Sequence, residues 1–330
     1  MAASTRPERP RALTIGLAAA ALLIAGALLL GLRSPAGPGP AGSAFATGSG
    51  APQTFAPSTA AGSGSAGAVL VGAGDIAACA SDGDEATAKL LDGIDGIVFT
   101  LGDNVYPHGT LDEFRRCYDP SWGRQLSRTK PTPGNHDYET PGAAGYFAYF
   151  GSAAGDPTTG WYAYDAGTWR VYVLNSNCAA IGGCDAGSSQ ERWLRSDLAA
   201  NPRACVLAMW HHPRFSSGEH GDDPMTQALW QDLNDAGAEL VLNGHDHTYE
   251  RFAAQTPSGQ ADPAHGIVEM VVGTGGRSHY VFPIIRDNSL ARNDTTYGVL
   301  RLVLSDGSWS FEFMPVKGGT FTDRGGGTCH

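Results

Sequence analysis

The chain has 330 residues, of which 42% are hydrophobic and 17% charged, a balance that excludes a disordered polyelectrolyte. Its 45 glycines follow no three-residue period, which excludes collagen and leaves turns as their use. The formal net charge is −11, and before residue 68 four arginines (Arg6, Arg9, Arg11, Arg33) face one acid (Glu8), so the acidic excess belongs to the rest of the chain. Such a surface repels polyphosphate backbones and argues against nucleic acid as a partner, although a bound cation can reverse the field locally.

Residues 12–32 form a 21-residue run without a charge, preceded by Arg6, Arg9 and Arg11. The positive-inside bias predicts that everything downstream leaves the cytoplasm. The length favours an uncleaved anchor, since a spanning helix needs about 20 apolar residues and a signal about 7–15. Ala44-Phe45-Ala46 offers a small-x-small cleavage site, so an anchor and a cleaved signal both stand. Residues 34–67 are rich in Pro, Gly, Ala and Ser and predict a tether, because such a segment cannot offset its ordering entropy by burial. We therefore read 1–33 as signal or anchor, 34–67 as linker and 68–330 as one catalytic domain.

From there the pattern alternates. Residues 68–76 (AVLVGAGDI) and 96–105 (GIVFTLGDNV) predict buried strands, with helices over 84–94 and 110–118. Residues 161–176 predict an aromatic hairpin, 189–201 a helix capped by Ser188, and 204–210 a strand. A helix over 225–237, strands over 238–244 and 266–276, and a hairpin over 297–315 turning on Asp306-Gly307 complete the domain. Alternation with antiparallel hairpins predicts an α/β class with mixed sheets. No internal repeat is present.

The six cysteines are an even number, which fits an oxidising compartment. Cys178 and Cys184 enclose five residues with two glycines and suit a local bridge. Cys79 and Cys117 each follow a candidate ligand segment, and a bridge between them would clamp two site loops. Cys205 and Cys329 are then left to hold the C-terminal tail. Six cysteines allow fifteen pairings, so this set is reached by elimination. Their spacings are not those of a zinc ribbon, and none is read as a metal ligand.

Polar residues collect where the strands end, which is where open α/β sheets carry their sites. The ends read Gly74-Asp75, Gly102-Asp103-Asn104-Val105-Tyr106, Gly134-Asn135-His136-Asp137, His211-His212-Pro213 and Gly244-His245-Asp246-His247. Each alone has an ordinary explanation as a cap or turn. His211 and His212 follow a strand, so their rings should diverge, whereas His245 and His247, at i and i+2 of extended backbone, should share a side. Gly72-x-Gly74 is not a dinucleotide fingerprint, because Ala77 occupies the third glycine position, and no nucleophile elbow or P-loop lysine is present. Five such ends in one domain, each with an oxygen or nitrogen donor, point to a two-metal site.

The ordered set GD, GDNVY, GNHD, HHP and GHDH resembles the calcineurin-like metallophosphoesterases, specifically their purple acid phosphatase branch, over roughly residues 69–276. The branch is carried by two positions: Asp75-Ile76-Ala77 lacks the histidine of the general Asp-x-His motif, and Tyr106 follows Asp103 by three residues. The resemblance implies a four-layer α/β/β/α sandwich with two mixed sheets. It also implies that Asp75, Asp103, Tyr106 and His247 bind a first metal, with Asp103 bridging to a second that Asn135, His211 and His245 complete. The donor types agree: two carboxylates and a phenolate suit Fe(III), and the shared carboxylate, amide and imidazoles suit Zn(II), Mn(II) or Fe(II). His211 is preferred to His212 on the family's His-x-Pro pattern.

His136 and His220 match the family's histidines that hold the phosphate and assist the leaving group; Gly221 stands where some relatives carry a further histidine. The implied reaction is hydrolysis of a phosphate monoester by metal-activated hydroxide, on a small phosphorylated substrate outside the cytoplasm. A phosphodiesterase or nucleotidase on the same metals is the alternative, and a non-catalytic surface binding protein a more remote one. His108, His265 and His279 are read as surface or rim residues and the terminal His330 is given no role. Asp137, Tyr138, Tyr146, Arg214 and Glu219 are pocket-rim candidates without an assigned role.

Overall fold

The computed structural model describes residues 67–330. The expected signal or anchor and nearly all of the expected linker lie outside these residues. Among the described residues no helix is long and apolar enough to cross a membrane.

The alternating pattern folds into two large mixed sheets flanked by helices, in the layered order expected. In the first sheet Ala68–Ala73 is central, parallel to Ile97–Thr100 and antiparallel to Gly298–Ser305. Outside these lie Thr129–Lys130 on one side, and Ser308–Pro315 and Arg324–Thr328 on the other. The second sheet runs Ser289–Asn293, Tyr249–Phe252, Val268–Val272, Leu240–Asn243, Val206–Met209, Trp169–Val173 and Tyr162–Ala166. Its strands Trp169–Val173, Val206–Met209, Leu240–Asn243 and Val268–Val272 are mutually parallel and largely buried, which suits their mainly apolar sequences, interrupted only by Arg170, Asn243 and Glu269.

The period of two divides the core. Leu207 and Met209 pack with Leu70, Val71 and Phe99 of the first sheet, whereas Val206, Ala208 and Trp210 pack with Leu194, Leu229, Trp230 and Leu233. The last four come from the helices Ser189–Ala200 and Gln227–Asp235, so the second sheet is sandwiched between them and the first sheet. Ser188 caps the first of these helices through the backbone N–H of Glu191, as the sequence suggests.

The elements differ from the sequence reading mostly in extent. The segment 110–118 begins with a Thr110–Glu113 capping box and continues as a wider π-type turn, Phe114–Tyr118. The helix Ala144–Phe150 and the strands Tyr249–Phe252, Ser289–Asn293 and Arg324–Thr328 were not foreseen. The last has a glycine-rich sequence with no apolar alternation, and it is a strand through its backbone pairing with residues 308–312. All six cysteines are paired, Cys79 with Cys117, Cys178 with Cys184 and Cys205 with Cys329, which are the three bridges reached by elimination.

The two sheets meet at the carboxyl ends of their parallel strands. Gly74 N–H donates to the carbonyl of Val272 at 2.8 Å, and Gly275 N–H returns to the carbonyl of Gly74 at 2.9 Å. All five polar strand ends converge on this seam.

Candidate metal centre

Three of the converging residues leave their strands through backbone that side chains seldom adopt: Asp75 has φ 60°, Asp103 φ 49° and His245 φ 70°. Left-handed backbone at non-glycine residues costs of order 1–3 kcal/mol each and persists where the surroundings enforce it, most often at functional sites. Here it turns each side chain from the strand direction toward the seam. The φ of His245 also corrects the reading of His245 and His247 as an extended pair, and the two imidazoles serve different partners.

One cluster forms around the Tyr106 phenol. Its oxygen lies 2.9 Å from Asp75 Oδ1, 2.9 Å from Asp103 Oδ2 and 3.1 Å from His247 Nε2. All four residues are buried. His247 is oriented from behind by Ser278 Oγ, 2.7 Å from its Nδ1. The other oxygen of Asp75 accepts from His245 N–H at 2.9 Å.

The second cluster shares Asp103. His211 Nε2 lies 3.3 Å from Asp103 Oδ1, 3.0 Å from Asn135 Oδ1 and 3.3 Å from His245 Nδ1. The opposite nitrogen, Nδ1, sits 2.7 Å from the carbonyl of Leu101, which can only accept, so the proton belongs on Nδ1 and the Nε2 lone pair faces the cluster. Gly102 makes this approach possible: with φ 84°, a Cβ there would stand 2.4 Å from His211 Nδ1. At Gly134 a Cβ would stand 2.2 Å from Asp103 Oδ1.

The donor set fits cations on its own chemistry. The Tyr106 phenol has one proton for two carboxylates and an imidazole nitrogen, and around His211 the lone pairs of a carboxylate, an amide oxygen and an imidazole meet without a proton between them. Asp75, Asp103 and His211 have ligand atoms within 4.8 Å of one another, as do His211, His212 and His245. Without a cation, protonation takes over the balancing. Burial works against an imidazolium at His211, yet the Asp103 charge outweighs it and pushes its pKa up to about 9. Burial likewise disfavours the Asp103 carboxylate, but His211 and His136 hold it well below the usual range. Burial, and then the Asp103 and Asp75 charges, push the Tyr106 phenol far up.

His212 does not diverge as far as its place after a strand suggests. Its ring lies 4.4 Å from the His245 ring and its Nδ1 2.8 Å from Ser176 Oγ, and burial pulls its pKa down to about 3. It stands behind His245, and of the adjacent pair it is His211 that meets Asp103 and Asn135.

His136 and His220 differ from these residues in reaching solvent, with side chains 34% and 43% exposed. Pro107 carbonyl, 2.7 Å from His136 Nδ1, turns His136 Nε2 toward Asp103 Oδ2 at 4.0 Å. Asp246 Oδ1 lies 3.0 Å from His220 Nδ1 and also accepts its backbone N–H at 3.0 Å, and this hydrogen bond raises the His220 pKa. The sequence reading missed Asp246, which stands inside the GHDH motif. It also missed Arg277, whose guanidinium lies 5.0 Å over the Tyr106 ring, and Tyr280, stacked 3.9 Å from His247. All three act through residues remote in sequence, and only the Gly-rich stretch after residue 272 hints at the last two. Of the rim candidates, Asp137 and Tyr146 are buried, Asp137 bracing the Asn104 and Gly134 loops and Tyr146 donating to Pro131 carbonyl. Arg214 is half-buried against Phe215 and Gln227. His108 and His265 are exposed and His279 stacks on Tyr297. The terminal His330 is tied to Glu239 at 2.8 Å.

The sequence is 28% identical to purple acid phosphatase 15 of Arabidopsis thaliana over 217 residues, which are 54% of this chain and 40% of that protein. Acid phosphatase type 7 of Danio rerio is 28% identical over 210 residues, 52% of this chain and 46% of its own length. The chain thus spans less than half the length of these relatives. Among solved structures, purple acid phosphatase PPD1 of yellow lupin superposes with a TM-score of 0.63 at 19% identity, covering 78% of this chain and 53% of its own. GAP50, the anchor in the inner membrane complex of Plasmodium, does so with 0.58 at 15% identity, covering 79% and 89%. The family model of the calcineurin-like phosphoesterases matches residues 70–249, the span that carries all five polar strand ends, and the chain belongs to that family.

Proposed function

We propose that residues 68–330 are the catalytic domain of an exported phosphatase that hydrolyses phosphate monoesters with two bound cations. The observation that carries this reading is the division of Asp103: Oδ2 belongs to the Tyr106 cluster and Oδ1 to the His211 cluster, so this one carboxylate could serve a cation in each. Asp75, Asp103, Tyr106 and His247 would hold a hard trivalent ion, Fe(III), and Asn135, His211 and His245 with Asp103 a divalent one, Zn(II), Mn(II) or Fe(II). The pair supplies an activated water and a positive field for the phosphate oxygens.

The chain's own residues supply the remainder. Asn135, 3.0 Å from His211 Nε2, and the partly exposed His136, 4.0 Å from Asp103 Oδ2, would orient the phosphate. Asp246 fixes the proton of His220 on Nδ1, so that Nε2 of the protonated ring can deliver a proton to the departing alkoxide. Three disulfides and the basic-flanked apolar segment support export, with the segment either kept as an anchor or removed.

The test is turnover by the chain loaded with iron and zinc or manganese, comparing an aryl phosphomonoester with the matching diester. Preference for the monoester is expected. Preference for the diester would keep the metal centre and move the function to phosphodiesterase. Turnover of neither, with both metals shown to be bound, would leave a binding protein.

A further inference from the structure

Among the described residues, the large apolar side chains that stand exposed are Val281, Ile284, Ile285 and Leu290, at 59%, 65%, 49% and 58%. Apolar side chains scattered singly are ordinary on a protein surface, but a cluster marks a surface that is covered in use. Three of them, Val281, Ile284 and Ile285, fall within five residues that follow Tyr280, the neighbour of His247 at the candidate metal centre, and Leu290 lies just beyond on the strand Ser289–Asn293.

The stretch is a strap tied at both ends to the His220 side of the site. At its start Arg277 N–H donates to Asp75 carbonyl at 3.0 Å and Tyr280 N–H to His247 carbonyl at 3.2 Å. The Tyr280 ring lies parallel to His247, 8° apart in plane, with its centre 5.5 Å from the His220 ring. At its end Arg286 N–H donates to Ser217 Oγ at 2.9 Å and Arg286 Nε to Ser216 carbonyl at 3.1 Å, on the loop that carries His220. Residues 281–285 therefore run from one neighbour of His220 to another. With consecutive Cα atoms 3.8 Å apart, the middle of the strap lies within roughly 11 Å of an anchor.

In an in-line hydrolysis the leaving oxygen departs toward its proton donor, so whatever is attached to that oxygen projects past His220. Tyr280, whose ring centre is 5.5 Å from that of His220, and the strap that follows it would then be placed to receive such a group. The two arginines that bracket the strap are engaged, Arg286 with Asp222 at 3.2 Å and Arg277 over the Tyr106 ring. The strap thus offers a leaving group apolar surface rather than charge.

We infer that residues 280–285 bind the leaving group, and that the substrates are phosphate monoesters of apolar alcohols, alkyl or aryl, in preference to polyol or nucleoside phosphates. The inference rests on the phosphatase reading of the same site. A methylene laid on a surface keeps one side in water, and half the value of complete burial corresponds to a gain of roughly twofold in kcat/KM per methylene.

The experiment compares n-alkyl phosphates from ethyl to hexyl on the full, metal-loaded chain, with n-alkylphosphonate binding by calorimetry as a readout free of turnover. Both kcat/KM and affinity are expected to rise roughly twofold per methylene, with an increasingly negative heat-capacity change on binding. An I284S/I285S double variant, altered only at exposed positions, is expected to flatten both series. Turnover of ethyl phosphate with a flat series in the unaltered chain overturns this inference and leaves the phosphatase reading intact. A rising series that the double variant retains also overturns it, as does a flat series with strap-dependent binding to phosphatidylcholine–phosphatidylglycerol vesicles. Hydrolysis of no ester at all removes the phosphatase reading and this inference with it.

Discussion

Asp137 braces two loops of the candidate metal centre, and its protonation should be measurable as stability of the metal-free protein. Its Oδ2 accepts from Gly134 N–H at 2.8 Å, Asn104 Nδ2 at 2.9 Å and Asn104 N–H at 3.4 Å, while Oδ1 is buried without a partner. Burial, and then the Asp103 charge, push its pKa from 3.8 up to about 7. Between those values the folded protein binds one proton more than the unfolded chain, so this group's contribution is fully present below 3.8 and is lost as pH rises through about 7. Each pH unit of that difference is 1.36 kcal/mol, giving a loss of about 3 kcal/mol between about pH 5 and about pH 8. Asp137→Asn keeps the shape and the accepting oxygen but never ionises. Urea unfolding of metal-stripped wild type and variant at both pH values should show the stability gap moving by about 3 kcal/mol in the variant's favour at the higher pH. Metal loading, by neutralising Asp103, should shrink that movement. An unchanged gap at the two pH values would refute the assignment of a buried, largely neutral Asp137.

Tyr106→Phe should abolish any visible tyrosinate-to-iron absorption of the iron-loaded protein; a band that survives would place the iron elsewhere. Its metal-free form should lose about 1.5–3 kcal/mol of stability in urea unfolding, as a buried hydrogen bond to a charged carboxylate is removed. Asp246→Asn should slow hydrolysis of alkyl monoesters about 10–100-fold and nitrophenyl phosphate much less, because the latter's leaving group departs without a proton. Equal slowing of both substrates would assign Asp246 a purely structural role. Gly102→Ala combines a φ of 84° with a Cβ 2.4 Å from His211 Nδ1, and should cost about 1–3 kcal/mol of stability and reduce metal retention on dialysis.

Much of this molecule could be read locally. The unbroken apolar runs of 68–73 and 206–209 have to be buried on both faces, and the polar residues closing such runs then fall at one edge of the sheets. The Ser188 cap and the Asp306-Gly307 turn likewise depend only on their neighbours. What could not be read locally rests on contacts between distant segments. His245 takes left-handed backbone because its N–H reaches Asp75, 170 residues away, and so the expected i, i+2 geometry fails. The choice between His211 and His212 is made by Leu101 carbonyl, 110 residues from the ring it orients. Asp246 reaches His220 across 26 residues, and Tyr280 is held on His247 by its own N–H to the His247 carbonyl, in a stretch tied again at Arg286. The glycine-rich tail has no pattern of its own and becomes a strand through pairing with its neighbour. Periodicity and caps are properties of a short window of chain, and they settle which residues arrive at the seam. The direction each donor atom points there is set by packing between elements up to 170 residues apart, which no short window contains.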